Sequence, residues 1–311
     1  MSNVLIIKHG SLGDLVQALG AIKDIKSSFK DDKVLLLTSK PFTELMSQCP
    51  FIDGILTDKR LPRWNVFYLL KLKKLLKRYN FSHIFDLQNS SRTKFYKKFI
   101  LEKNIKWSSS ETALEIGEKK SDFDKSPVLE RMQVQLKKSG INTANTMNVD
   151  LSWSLIDVSR LIKQYTNGEY LLLFPFCSKK HIKKIWPYYK ELINKIKEFY
   201  KDKYSILVAP GPGEVEMAKK LGAKLVLDDN KPVNLNTLIS LIDKAKFIIS
   251  NDTGPAHICH HMNKKGLVIF GSHTSPKKVS IGNLELKSIQ VEDLKKLKPD
   301  AVMESISKSL N

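Results

Sequence analysis

The chain has 311 residues, 42% apolar and 27% charged, with a formal net charge of +20. That is an ordinary globular composition, long enough for one large or two ordinary domains. No apolar run approaches the roughly 18 residues of a membrane span. The start, MSNVLIIKHG, lacks the basic and apolar regions of a signal peptide. Three scattered cysteines, Cys49, Cys177 and Cys259, offer no disulfide framework, so the expected compartment is the reducing cytoplasm. In chain order, VLIIK (4–8) predicts a strand followed by a helix near 14–29. KVLLLTS (33–39) precedes a short helix near 41–48, GILT (54–57) a basic helix over 64–79, and SHIFDL (82–87) a helix near 91–101. Residues 104–127, with SSSET and GEKKSDFDKSP, read as mobile loops, and a helix near 127–139 ends at Gly140. The pattern restarts with YLLLFPF (170–176) and a helix near 187–200. YSILVAP (204–210) and a helix near 213–221 follow, then KLVLD (224–228) and a helix near 234–245. FIISN (247–251), a helix over 255–262, GLVIFG (266–271) and a final helix near 292–310 complete the series.

Strands alternating with helices predict parallel sheets covered on both faces. The expected division is residues 1–160, residues 161–290, and a C-terminal helix over 291–311 packing back on the first half. Charge is unevenly spread. Residues 59–98 hold twelve lysines and arginines against one acid, Asp86, a net +11. Such a segment is either a solvated face or a surface for a polyanion, and composition does not choose between them. No nucleic-acid-binding motif accompanies the charge, so nucleic acid is not an expected partner.

Chemistry-bearing residues gather where strands end. Gly10-Ser11-Leu12-Gly13-Asp14 follows the first strand; its glycines permit a tight turn and the close approach of a substrate. Asp14 is either a helix cap or a general base projecting into a cleft, with Lys8 and His9 near the same mouth. Asp252-Thr253-Gly254-Pro255-Ala256-His257 follows the strand over 247–251. Pro255 suits a first helical turn, and Thr253 and Gly254 present N–H groups at the positive end of the helix, an anion site for a diphosphate. Asp252 can orient the loop or a hydroxyl, and His257 can donate to a phosphate oxygen. His257, Cys259, His260 and His261 lack a carboxylate or second cysteine at ligand spacing, so no metal is expected. The basic loop Cys177–Pro187 sits where open sheets bind ligands, with Ser178 and Lys184 the preferred anion contacts. Glu214, in Pro210-Gly211-Pro212-Gly213-Glu214, either binds sugar hydroxyls or begins a helix.

Several motifs in fixed order carry a resemblance: VLIIKHGSLGD at the start, FDLQNSSR at 85–92, Lys184-x-Trp-Pro, GPGE at 211–214, and SNDTGPAH at 250–257 before GLVIFGSHTSP. Over most of its length the chain resembles the heptosyltransferases of glycosyltransferase family 9. The resemblance implies a GT-B fold: two Rossmann-like domains whose parallel sheets face a central cleft. It implies an inverting, metal-independent transfer of heptose from a nucleotide sugar, usually ADP-heptose, to the lipopolysaccharide inner core, with no cofactor. Asp14 would be the base. Ser178, Lys184, Glu214, Asp252, Thr253, Gly254 and His257 would hold the donor, and Gly10, Ser11, Arg60, Arg63 and Arg92 the acceptor. Trp64, Phe67, Leu70, Leu75 and Leu76 approximate an apolar stripe expected to pack inward, leaving the lysines of 64–79 to face an anionic inner-membrane surface. Two other classes are weighed. One is a non-catalytic family member that binds anionic lipid or polysaccharide. The other is a dinucleotide-dependent oxidoreductase, disfavoured because no GxGxxG follows a strand.

Overall fold

The short apolar runs are strands buried on both faces. Val4, Leu5, Ile6 and Ile7 are each 0% exposed, as in a parallel sheet sandwiched between helices. A computed structural model describes residues 2–102 and 104–310, including all their side chains except those of Lys179, Lys180 and Asp202. Two charges of the basic loop, Lys179 and Lys180, therefore lie outside the described side chains. The chain divides into two compact units, with the boundary between Trp153 and Ser154.

The first unit runs β1 (Asn3–Ile7), α1 (Leu12–Ser28), β2 (Lys33–Thr38), α2 (Thr43–Ser47), β3 (Gly54–Thr57), α3 (Val66–Lys77), β4 (Phe81–Asp86), α4 (Ser91–Phe99), β5 (Lys106–Ser108), α5 (Lys120–Phe123) and α6 (Val128–Lys138). Its strands are parallel in the order β3-β2-β1-β4-β5. The chain winds outward from β1 in one direction, then resumes on the other side at β4. The loops leaving β1 and β4 therefore diverge and open a crevice at their carboxyl ends. The 104–127 segment, read as mobile loops, contributes the edge strand β5 and the short helix α5. Its polar composition concealed a three-residue strand whose pairing with β4 supplies the stability that local propensity does not.

The helical phase of α3 differs from expectation. Tyr68, Leu72 and Leu76 are buried, whereas Trp64, Phe67 and Leu70 are 84%, 81% and 58% exposed. Polar contacts fix the rotation of the helix. Asn65 accepts from the Tyr68 N–H at 3.0 Å, and the Tyr68 hydroxyl donates to the buried Asp58 carboxylate. Of the expected stripe, Leu76 is buried and Leu75 packs against the core; the aromatic part faces outward.

The second unit runs α7 (Ser159–Lys163), β6 (Tyr170–Phe174), α8 (Tyr189–Tyr200), β7 (Ser205–Val208), α9 (Val215–Ala218), β8 (Lys224–Leu225), β9 (Leu227–Asp228), β10 (Lys231–Pro232), α10 (Leu235–Lys244), β11 (Phe247–Asn251), α11 (Gly254–His261), β12 (Gly266–Phe270), β13 (Leu286–Gln290) and α12 (Pro299–Leu310). Six strands order β13-β12-β11-β6-β7-β8, and β9 with β10 forms a separate antiparallel ribbon. The order reverses between β6 and β11. The unit begins earlier than residue 161 because the 154–156 segment is bound to α10. Ser154 accepts from the Asn236 amide at 2.9 Å, and the Ile156 N–H donates to Ser240 at 2.9 Å. The C-terminal helix α12 belongs to the second unit and packs on its core. Val302 and Ile306 are 0% exposed in the core of the second unit, shared with Leu192, Ile193 and Ile196 of α8. The helix expected over 213–221 is a single α-turn continued by a 3-10 turn.

Candidate active site

Asp14 stands three residues after the Ser11 N-cap of α1. Its Oδ2 accepts from the Ser11 N–H at 3.0 Å and the Ser11 hydroxyl at 2.9 Å. Capping and function are therefore compatible: one carboxylate oxygen holds the turn while the residue lines a cavity of about 160 Å3. Lys8, Leu87, Gln88, Asn89 and Arg131 are also on that lining, so the cavity sits at the carboxyl ends of β1 and β4, where the strand order reverses. Lys8 is buried and donates to the Leu87 carbonyl at 2.9 Å. Burial pushes its ammonium pKa down, and the charges of Asp14 and Asp86 oppose that shift. Gly10, at φ +104°, could not carry a side chain, because a Cβ would overlap the ring of Phe42. The glycine thus lets the turn lie close against this ring. Asn89 and Ser110 also line a larger neighbouring cavity of about 340 Å3, rimmed by Lys94, Lys97 and Lys98.

His9 belongs to a different network from the one expected. It is 1% exposed, and its Nε2 lies 2.8 Å from Asp58 Oδ2. Asp58 follows β3 and also accepts from Tyr68, from the Tyr96 hydroxyl at 2.8 Å and from the Arg60 N–H at 2.8 Å. Burial pushes its carboxyl up, but the bonds from His9, Tyr68 and Arg60 outweigh burial and hold it at about 2. Two of the three candidate acceptor arginines join this network, Arg60 through its backbone N–H and Arg92 through Tyr96, while Arg63 contacts the start of α4. Arg92 donates to the Tyr96 hydroxyl at 3.0 Å and to the Arg60 carbonyl at 3.2 Å, and Arg63 reaches the Ser91 carbonyl at 3.5 Å. Because Asp58 is depressed in the folded state, its stabilisation is full above pH 4 and is lost as pH falls through 2. The expected loss is about 2 kcal/mol over that window. Thermal melts from pH 6 to 2 check this: Asp58→Asn should show a shallower decline than wild type, and equal slopes would remove Asp58 from the acid sensitivity.

In the second unit, Lys184 Nζ lies 2.6 Å from Asp252 Oδ2, and His273 Nε2 lies 3.0 Å from the same oxygen. Asp252 is 1% exposed. His181, Lys183, Lys184 and His273 line a cavity of about 540 Å3. The loop after β6 is fastened to β11 by Asn251, which accepts from the Trp186 N–H at 3.3 Å and donates to the Pro175 carbonyl at 2.8 Å. Thr253 is the N-cap of α11, with Gly254 and Pro255 in its first turn, and its hydroxyl donates to the Asn251 carbonyl at 3.3 Å. Glu214 accepts from the Gly211 N–H at 2.7 Å, and burial pushes its carboxyl up. Burial also raises the Cys177 thiol, and the charges of Glu214 and Asp252 push it the same way while Lys184 opposes them. Ser178 is exposed and caps the 3-10 turn that carries Lys184; it does not line the cavity. His257 is buried, at 7% exposure. His260 accepts from the Gly282 N–H at 3.2 Å, and burial lowers His261 to about 3. Among the described residues no group of three His, Cys, Asp or Glu side chains is placed to hold a metal ion.

Sequence reasoning missed Asp58, Arg131, Asn251 and His273. Asp58 and Asn251 had an available signal: each is a polar residue at the carboxyl end of a strand of its parallel sheet, close to the criterion that selected Asp14. Arg131, in the middle of α6, and His273, in a loop, had none without the fold.

Two doubly wound parallel-sheet units, each with polar groups gathered where its strand order reverses, make up the GT-B class of fold. The model of glycosyltransferase family 9 (heptosyltransferase) matches residues 69–308, and the chain belongs to that family. It is 21% identical to lipopolysaccharide heptosyltransferase 1 of Campylobacter coli, over 88% of this chain and 84% of that protein. It is 23% identical to the lipopolysaccharide core heptosyltransferase OpsX of Haemophilus influenzae, over 91% and 83% respectively. The fold matches that of the E. coli heptosyltransferase WaaC solved with ADP, with a TM-score of 0.72 at 18% identity over 99% of each chain.

Proposed function

We propose that this protein is an inverting, metal-independent heptosyltransferase that moves a heptose from ADP-heptose to a lipopolysaccharide inner-core acceptor at the cytoplasmic face of the inner membrane. The observation that carries the reading is the carboxylate of Asp14 at the β1–β4 crevice, held by Ser11 and open to a polar cavity. In the proposed step Asp14 takes the proton of an acceptor hydroxyl. The hydroxyl oxygen bonds to the anomeric carbon as the bond from that carbon to the diphosphate oxygen breaks, and the nucleoside diphosphate departs with the electron pair. The N–H groups at the start of α11 and the ammonium of Lys184 would meet the charge that develops on the leaving group. Asp252 would hold Lys184 in place, and Glu214 would take hydroxyls of the donor. Arg60, Arg63 and Arg92 suit an acceptor bearing carboxylates or phosphates, because the guanidinium fork matches both. The named activities of the Campylobacter and Haemophilus relatives support the choice of sugar and acceptor, and the ADP in WaaC supports the choice of nucleotide.

The test is a panel of nucleotide sugars incubated with a short soluble inner-core acceptor, following release of nucleoside diphosphate. ADP-heptose should turn over, with an inverted anomeric configuration in the product by NMR. Turnover with a UDP-sugar instead would overturn the donor assignment. Binding of ADP with no turnover of any donor would favour the non-catalytic alternative.

A further inference from the structure

The outward face of α3 is divided along its length. Its beginning, with Trp64 just before it, presents Trp64, Val66, Phe67 and Leu70, which are 84%, 60%, 81% and 58% exposed. Phe67 and Leu70, three residues apart, share one face of the helix, and the exposed Trp64 stands in the turn just before its N-cap Asn65. The later turns present Lys71, Lys73, Lys74 and Lys77, all exposed. Lys73 reaches across to the Phe99 carbonyl at 3.4 Å, and Phe99 is itself 51% exposed, which places a third aromatic side chain beside the lysines. One exposed ion pair, Lys77 with Glu102 at 3.7 Å, offsets this charge. Contiguous exposed aromatic and aliphatic side chains bordered by cations are costly in water and suit the boundary between lipid headgroups and acyl chains.

We propose that this face docks on an anionic bilayer, with Trp64, Phe67 and Leu70 inserted at the headgroup boundary and the lysines of α3 on lipid phosphates. The proposal rests on the reading of a membrane-held acceptor and adds the contact: the apolar side chains enter the lipid, and charge alone does not hold the protein. Trp suits that depth because its ring is apolar and its N–H can remain hydrated. A second copy of this chain is the weaker occupant, since a self-complementary contact on this face would bring two sets of the same lysines together.

The experiment is co-sedimentation of the full chain with acceptor-free vesicles, phosphatidylglycerol-containing against pure phosphatidylcholine, across a salt series. Turnover on the short soluble acceptor is measured in parallel. Wild type should bind the anionic vesicles, with a blue shift of tryptophan emission, and should retain part of that binding at high salt, where exposed charges are screened within a few ångströms. Trp64→Ser with Phe67→Ser should weaken binding about tenfold or more. Trp64→Phe should keep binding and lose most of the blue shift. Lys71→Glu with Lys73→Glu and Lys74→Glu should abolish binding. All of these variants should melt and turn over soluble acceptor as wild type does, because the changed side chains are outside the core and the catalytic groups. Unchanged vesicle affinity in the Trp64/Phe67 variant would overturn insertion. So would a concentration-dependent dimer abolished by that variant in a protein that ignores vesicles. Turnover on the soluble acceptor is independent of vesicles, so its absence would count against the enzymatic reading and not against docking.

Discussion

Asp14→Asn is expected to lower turnover by about 10²-fold or more, while leaving ADP affinity and melting temperature near wild type. The argument rests on which properties the substitution keeps. Asp14 Oδ2 accepts two hydrogen bonds from Ser11, one from its N–H and one from its hydroxyl. An asparagine Oδ1 can accept both, so the first turn of α1 keeps its cap. What the amide cannot do is take a proton from an acceptor hydroxyl. The replacement also removes a negative charge that buried Lys8 senses, so a small shift in stability is expected, well below the effect on the chemical step. Ser11→Ala separates the two roles. It removes one of the two bonds that orient the carboxylate and leaves the base in place, so kcat should fall much less. Melting curves, ADP titration and kcat on the soluble acceptor measure all three quantities. Turnover near wild type for Asp14→Asn would sink the assignment of the base.

The strands were legible because parallel sheets bury both faces and so write themselves as apolar runs. FIISN at 247–251 coincides with β11 and GLVIFG at 266–271 covers β12, and both strands are buried throughout. Elements stabilised mainly by neighbours were not legible. β5 reads KWS within a polar stretch, and β13 reads LKSIQ with three of its five residues exposed; each is an edge strand that gains its pairing from β4 or β12. The phase of α3 failed for a related reason. Its hydrophobic residues nearly surround the helix, so the sequence pattern offers more than one apolar face, and the hydrogen bond from Tyr68 to Asp58 selects between them. In the candidate site, Asp14 and Asp252 were legible as candidates because each follows closely on a strand, whereas Asp58 and Asn251 stand at equivalent strand ends and were passed over. Arg131 and His273 reach their sites from a helix interior and a loop, and their contributions depend on long-range contacts that no local pattern encodes. Asp24 is a similar case: a mid-helix acid that is 1% exposed because it binds the Asn145 and Thr146 N–H groups far along the chain.

Lys184→Ala is expected to weaken ADP binding by roughly 1.5–3 kcal/mol, the scale of a lost charge-assisted hydrogen bond, or about 10- to 100-fold in Kd. The geometry makes this a demanding test. Lys184 is 2.6 Å from Asp252, a carboxylate with 1% exposure, so its ammonium already has an anionic partner in the protein. If the pair is only structural, truncation leaves Asp252 with His273 at 3.0 Å and lowers the melting temperature without changing the affinity for ADP. If Lys184 also meets the diphosphate, affinity falls as well, because the three donors of an ammonium can serve both anions. Asp252→Asn distinguishes the two cases from the other side. It frees Lys184 from its ion pair and should preserve ADP affinity far better than Lys184→Ala does. A chelator should change neither kcat nor Kd if Lys184 and the α11 N-terminus supply the positive charge. Loss of activity with chelator, restored by Mg²⁺, would instead place a metal on the diphosphate and reduce Lys184 to the ion-pair partner of the buried Asp252.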